Sequence, residues 1–241
     1  MSSANVIEIF SSVQGEGKYI GCRQVFVRLA DCNLHCDYCD TDFKRADFCK
    51  IETAAGSMTF RDVKNPLTAA QVAEIIKSFC AEVPTQAVSF TGGEPLIHWQ
   101  FVRDVAEAIK ILGVKIFLET NGTLSDELLR TFDAVDIISM DIKLGQNLLS
   151  LHEKFLHVAK GKDLYVKVVV TGETMLEEFL SAVEMVAGVD ENILLIVQPV
   201  TPVKNVRMVS AAKILSLQAA ALSKIKNVRV IPQAHKLISI L

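Results

Sequence analysis

Short β-branched, apolar runs return along this chain at regular intervals, separated by stretches whose apolar residues fall at helical spacing. Val25 to Leu29, Ala87 to Phe90, Val114 to Leu118, Val135 to Ser139, Tyr165 to Val170, Ile193 to Val197 and Val228 to Ile231 read as strands. Between them, Val72, Ile75, Ile76 and Phe79 line one face of a helix opened by a capping box, Thr68 with Gln71. Phe101, Val105, Ile109 and Leu112 do the same ahead of Gly113, which stands at a helix C-cap position. Further helices are expected over 174–187 and 207–224. Repeated βα units bury parallel strands between helices. Such units curl into a full or partial barrel whose ligands gather at the C-terminal strand ends. The expected fold is therefore α/β, a partial parallel (βα) barrel in a single domain.

With 241 residues, half of them apolar, the chain can bury one sizeable core and is short for two ordinary domains. A net charge of −3 gives no broad basic field for gripping duplex nucleic acid or an anionic membrane. The first residues reach Glu8 without a basic segment or a long apolar run, so they do not read as a signal peptide. No stretch is apolar for long enough to span a bilayer. Three of the six cysteines fall within eight residues, which points to a metal site in a reducing compartment rather than to disulfides. A cytoplasmic location is expected.

The unusual polar clusters follow the strands, as a barrel requires. Asp31 to Asp42 comes after the first, Thr91 to Pro95 after the second, Glu119 to Gly122 after the third, Asp141 to Lys143 after the fourth and Gln198 to Thr201 after the sixth. The segment from Phe43 to Pro66 lacks clear periodicity and reads as an insertion leaving the barrel.

Cys32, Cys36 and Cys39 form C-x3-C-x2-C, three soft ligands on one loop, which suits an iron–sulfur cluster or zinc. Structural zinc normally takes a fourth ligand, for which His35, Cys49 and Cys22 are candidates. A cubane cluster held by three thiolates instead leaves one iron open to a small molecule. Cys22, Cys49 and Cys80 otherwise read as structural, as do His98, His152 and His157, the last two in an expected surface helix.

The cysteine motif, with Tyr38 before its last cysteine, resembles the cluster loop of radical S-adenosylmethionine (SAM) enzymes. Thr91-Gly-Gly-Glu-Pro95 looks like the motif with which that superfamily receives the methionine part of SAM. Further segments resemble 7-carboxy-7-deazaguanine synthases, the QueE family: Glu8-Ile-Phe-Ser-Ser-Val-Gln-Gly-Glu-Gly17, then Phe26-Val-Arg28-Leu, Cys39-Asp40-Thr41, and Pro232-Gln-Ala-His235-Lys236. The resemblance runs from residue 8 to the C-terminus and is weakest over 43–66 and 144–192.

That resemblance implies a ring contraction of 6-carboxy-5,6,7,8-tetrahydropterin to 7-carboxy-7-deazaguanine with loss of ammonia, on the route to queuosine-type nucleosides. The SAM-derived radical takes hydrogen from C6 and SAM is restored, so no side chain is assigned as catalytic. It implies a 4Fe–4S cluster on Cys32, Cys36 and Cys39, and Mg²⁺ at Thr41. Substrate would meet Val13, Gln14, Gly15, Glu16, Arg28, Thr91, His235 and the carboxylate of Leu241. SAM would meet Tyr38, Asp40, Gly93, Glu94, Glu119, Asn121, Ser139, Asp141, Lys143, Gln198, Pro199, Val200 and Thr201. The chain departs from one family form, serine followed by proline and lysine, by carrying Ser139-Met-Asp141-Ile-Lys143. A homodimer and an electron donor such as flavodoxin are implied, with no direct nucleic-acid partner. A radical SAM activase acting on a partner protein and a non-catalytic zinc module are the competing readings. The QGEG and PQ-x-HK segments argue against the activase.

Overall fold

The structure is a computed structural model that describes residues 2–36, 39, 43–201 and 206–240. Ten strands form one sheet: β1 (Val6–Val13), β2 (Arg23–Leu29), β3 (Phe48–Glu52), β4 (Phe60–Lys64), β5 (Ala87–Gly92), β6 (Lys115–Thr120), β7 (Ile137–Ile142), β8 (Asp163–Val170), β9 (Leu194–Pro199) and β10 (Val228–Val230). Their order is β10-β9-β8-β7-β6-β5-β2-β1-β3-β4. From β2 to β10 every neighbouring pair is parallel. The order has two ends, so among the described residues the sheet is an open, partial barrel.

All seven expected strands are present, four of them running two or three residues further at the C-terminal end. The helices are α1 (Ala69–Glu82), α2 (Trp99–Ile109), α3 (Ser125–Thr131), α4 (Leu149–Ala159), α5 (Leu176–Asp190), α6 (Ala211–Leu222) and α7 (Ala234–Leu237). The Thr68–Gln71 capping box closes as expected; such a cap contributes about 1 kcal/mol. Gly113 takes the left-handed conformation, capping a short 3₁₀ turn that continues α2.

Two findings go beyond the sequence expectation. Residues 6–13 form a full strand that pairs antiparallel with β2. The 43–66 segment contributes the hairpin β3–β4, which joins the sheet through β1 and extends its edge.

Side chains alternate across each strand, and this alternation builds the site. Outward residues such as Val88, Leu118, Ile138, Val166 and Leu195 meet the helices in the main core. Inward residues near the N-terminal ends form a separate apolar plug of Ala87, Phe117, Ile137, Tyr165, Leu194 and Ile196. Two residues further along the same faces stand Ser89, Glu119, Ser139, Lys167 and Gln198. The interior thus changes from apolar to polar towards the C-terminal ends of the strands.

Candidate active site

A cavity of about 500 Å³ opens above that plug. Cys32, Cys36 and Cys39 line it together with Val13 to Glu16, Arg28, Thr91, Gly93, Glu119, Asn121, Asp141, Lys143, Gln198, Val200, Thr201 and His235. Residues scattered over 200 positions of sequence therefore face one space. Tyr38, Asp40, Thr41 and Leu241 lie outside the described residues.

The cluster loop is anchored where it leaves β2. Asp31 N–H donates to Phe43 O at 2.8 Å, its carboxylate pairs with Arg45 at 3.0 Å, and His98 reaches the Ala30 carbonyl at 3.2 Å. Gly93 lets β5 approach this turn, since a Cβ there would collide with the Asp31 carbonyl. Donors then reach the sulfurs: Leu34 N at 3.5 Å and Asn121 Nδ2 at 4.0 Å from Cys32 Sγ, Gln146 Nε2 at 3.4 Å from Cys36 Sγ. Burial pushes the Cys32 thiol up, the Leu34 N–H opposes it, and the charges of Glu94, Cys36 and Cys39 push it further. Three thiolates so close together call for a cation. Three cysteines lining one cavity fit iron–sulfur ligation, and Cys32, Cys36 and Cys39 would hold such a cluster. Cys49 is buried in β3 and its thiol is pushed up to about 12 by burial, while Cys22 and Cys80 are half-buried.

Around the rest of the cavity, side chains bind one another in a continuous network. Thr91 Oγ1 donates to Glu119 Oε2 at 2.7 Å, and Gln14 Nε2 donates to Glu119 Oε1 at 2.9 Å. Glu16 N–H donates to Gln14 Oε1 at 3.0 Å. The Glu16 carboxylate accepts from Lys167 Nζ at 2.6 Å and Gln233 Nε2 at 2.8 Å. Burial alone would raise the Glu16 carboxyl, but the Lys167 ammonium outweighs it and brings the group down to about 2. Arg28 pairs with Glu8 at 2.7 Å and lies over the ring of Phe10, which stacks on Phe26. Gln14 has its backbone N–H and C=O engaged by Cys22 and Gly21, so its side chain is the part free to shape the cavity.

Several expected positions are placed differently. Glu94 is fully buried and absent from the cavity wall. Its carboxylate accepts from Leu96 N, Thr120 Oγ1 and Asn121 N at 3.1, 2.9 and 2.7 Å, so it braces the ends of β5 and β6. Burial pushes it up to about 7 against those donors. Ser139 lies deeper in the interior, buried beneath the cavity, and Pro199 is likewise not among the lining residues. His152 is no surface residue: it is completely buried on the inner face of α4, its Nε2 3.1 Å from the Asn121 carbonyl. Burial holds its imidazole down at about 4. His157 is exposed, as expected. Sequence reasoning missed Lys167 and Gln233. Strand parity could have found Lys167, two residues after inward Tyr165 in an otherwise apolar run.

The closing segment meets the opening one. Ala234 N–H donates to Gly15 O at 2.8 Å, and a Cβ on Gly15 would collide with the His235 imidazole.

A three-cysteine loop and a glycine-rich strand end facing one cavity in a partial barrel define a radical SAM enzyme. The family model described as the radical SAM superfamily matches residues 27–196. A 7-carboxy-7-deazaguanine synthase from Geobacter sulfurreducens is 38% identical over 97% of this chain and 96% of its own length. One from Methanocaldococcus jannaschii is 35% identical over 97% and 99%. In fold, the crystal structure of QueE from Escherichia coli superposes with a TM-score of 0.64 at 18% identity, covering 97% of this chain and 95% of that one. The chain belongs to the 7-carboxy-7-deazaguanine synthase family. Membership implies a 4Fe–4S cluster and SAM as its cofactors, and a small-molecule substrate. Among the described residues no helix is long and apolar enough to cross a membrane.

Proposed function

We propose that the chain converts 6-carboxy-5,6,7,8-tetrahydropterin to 7-carboxy-7-deazaguanine and ammonia. The two products together account for every atom of the substrate, so SAM is returned rather than consumed. The observation that carries this reading is that three cysteines and a network of fixed hydrogen-bonding groups line one cavity. When bound, the cluster and SAM supply the radical that starts the rearrangement. The chain's own residues do the rest.

Cys32, Cys36 and Cys39 hold the cluster. Asn121, Asp141, Lys143 and the strand end from Gln198 to Thr201 line the SAM side, with Gly93 giving backbone access and Glu94 acting from behind through Asn121. Tyr38 and Asp40 belong to the same side by family likeness. On the substrate side, Glu16 is an ionised acceptor for the N–H edge of the aminopyrimidinone, and Gln14, Thr91 and Glu119 fix the ring plane. The outer nitrogens of Arg28 give the substrate carboxylate a cation, with Mg²⁺ on Thr41 as a second. His235, which packs on Gly15, and by family likeness Leu241 complete the substrate contacts.

The chain acts as one catalytic domain with 43–66 as an inserted hairpin, in the cytoplasm, as a homodimer reduced by a flavodoxin-type donor. Its product enters 7-deazapurine nucleoside synthesis of the queuosine type. Anaerobic turnover of reconstituted protein with SAM, reductant and the carboxytetrahydropterin tests the reading. Formation of 7-carboxy-7-deazaguanine with ammonia and substoichiometric loss of SAM is expected. Binding of zinc with no turnover would overturn it.

A further inference from the structure

Lys167 stands in the middle of β8, where the neighbouring Val166 and Val168 point outwards into the core. Its side chain enters the barrel and is 4% exposed. The register sets it opposite Asp141 on β7. Its Nζ lies 2.6 Å from Glu16 Oε2 and 3.2 Å from Asp141 Oδ1. The second oxygen of each carboxylate has its own partner: Gln233 Nε2 at 2.8 Å on Glu16, and Lys143 Nζ at 3.0 Å on Asp141. A chain of polar groups, Gln233–Glu16–Lys167–Asp141–Lys143, thus crosses the cavity wall from the closing segment to the SAM side.

Burying an ammonium and two carboxylates costs several kcal/mol of lost hydration per ion, which mutual attraction only partly offsets. Apolar residues of similar volume often hold a fold as well or better, so these three charges are poor evidence of a stabilising role.

We propose that Lys167 is a positioning residue, whose ammonium holds the Glu16 carboxylate in one orientation as the acceptor for the substrate's ring N–H edge. The inference rests on the pterin reading above. A carboxylate accepts along about four directions. Lys167 and Gln233 take one on each oxygen and Gln198 leans on the same group, yet Glu16 still lines the cavity. Held on both oxygens by two groups that line the same cavity, the carboxylate is fixed in orientation. Lys167 faces Glu16 on the β1–β2 loop, Asp141 on β7, Glu119 on β6 and Tyr165 on its own strand. Lys143 lies beyond Asp141, and His235 packs on Gly15. Without the ammonium, burial would favour protonation of Glu16, and a protonated carboxyl presents a donor where the substrate also donates.

The test uses anaerobically reconstituted Lys167→Met, Lys167→Arg and Glu16→Gln enzymes and the double variant Glu16→Gln/Lys167→Met. Lys167→Met should raise the pterin KM tenfold or more, a larger factor than any loss of SAM affinity that follows from the loosened Asp141. The acidic limb of its kcat/KM profile should move to higher pH, which a merely structural role would not produce. Lys167→Arg should recover part of the KM. Adding Lys167→Met to Glu16→Gln should change the KM little, because the acceptor to be positioned is already altered. That comparison carries the test if the single methionine variant does not fold. An unchanged KM and pH profile in Lys167→Met, or fully additive effects in the double variant, would overturn the inference while leaving the pterin reading intact. Failure of the wild type to turn over the pterin would remove both.

Discussion

Glu94 belongs to a motif read as receiving SAM, yet its carboxylate is spent on the protein itself. Replacing it with alanine strands two buried backbone N–H groups, those of Leu96 and Asn121, and the hydroxyl of Thr120. Each stranded donor costs about 1–3 kcal/mol. Removing a carboxyl that burial has already pushed to about 7 returns some of this, so the net loss should be about 3 kcal/mol. That is a large share of the roughly 5–15 kcal/mol that holds a domain folded. With a urea slope of about 3 kcal/mol/M for a chain of this size, the unfolding midpoint should fall by about 1 M. Glu94→Gln keeps the volume and one carbonyl oxygen but turns an NH₂ towards one donor, so its midpoint should lie between the two. Anaerobic urea titrations followed by circular dichroism, with SAM affinity measured alongside, provide the assay. SAM binding should weaken in step with stability, because Asn121 loses its anchor. A wild-type midpoint in Glu94→Ala, or a glutamine variant less stable than alanine, would refute the bracing role.

Three other outcomes are expected. The His152 imidazole is held at about 4, below its usual 6.5, so the folded state keeps it neutral where the unfolded chain binds a proton. Its contribution is present above pH 6.5 and is lost as pH falls towards 4, by at most about 3 kcal/mol; His152→Leu should flatten the pH dependence of urea stability across that window, and an unchanged slope would rule this out. Gln146 donates to Cys36 Sγ, and such bonds favour the more negative, reduced cluster; Gln146→Leu should therefore lower the potential in an EPR-monitored titration, with an unshifted midpoint counting against it. Thr41→Val should raise the magnesium requirement for pterin turnover and spare iron content, whereas equal magnesium titration curves would make Thr41 an ordinary loop residue.

The parallel strands and their helices were legible because burial on both faces writes an almost unbroken apolar run, as in Tyr165 to Val170. The same continuity hid what matters inside. Lys167 and Val169 share an inward face with Tyr165, and in so apolar a run only the charge of Lys167 marks that face. The hairpin β3–β4 was illegible for the opposite reason: at an exposed edge, Phe-Arg-Asp-Val-Lys buries too little to show a period. The cysteine motif and the strand-end clusters declared their neighbourhood by chemistry alone. Glu94 and Ser139 were drawn into the SAM pocket by motif, whereas depth below the surface decides what a side chain can touch. His152 stands at helical spacing with Phe155, Leu156 and Ala159 on the buried face of α4, so the period placed it inside, where the Asn121 carbonyl gives its ring a partner.

The hydrogen bond between Glu16 and Gln233 spans 217 positions of sequence, and this sets an order of events during synthesis. A ribosome moving from N- to C-terminus finishes the opening loop, every parallel strand and the cysteine loop before Gln233 exists. A nascent chain can therefore have its cluster ligands in place while the far wall of the pocket is still missing. Substrate recognition is deferred to the closing residues, so a chain truncated before Gln233 would carry the sulfur ligands without the complete pocket that is to direct their chemistry.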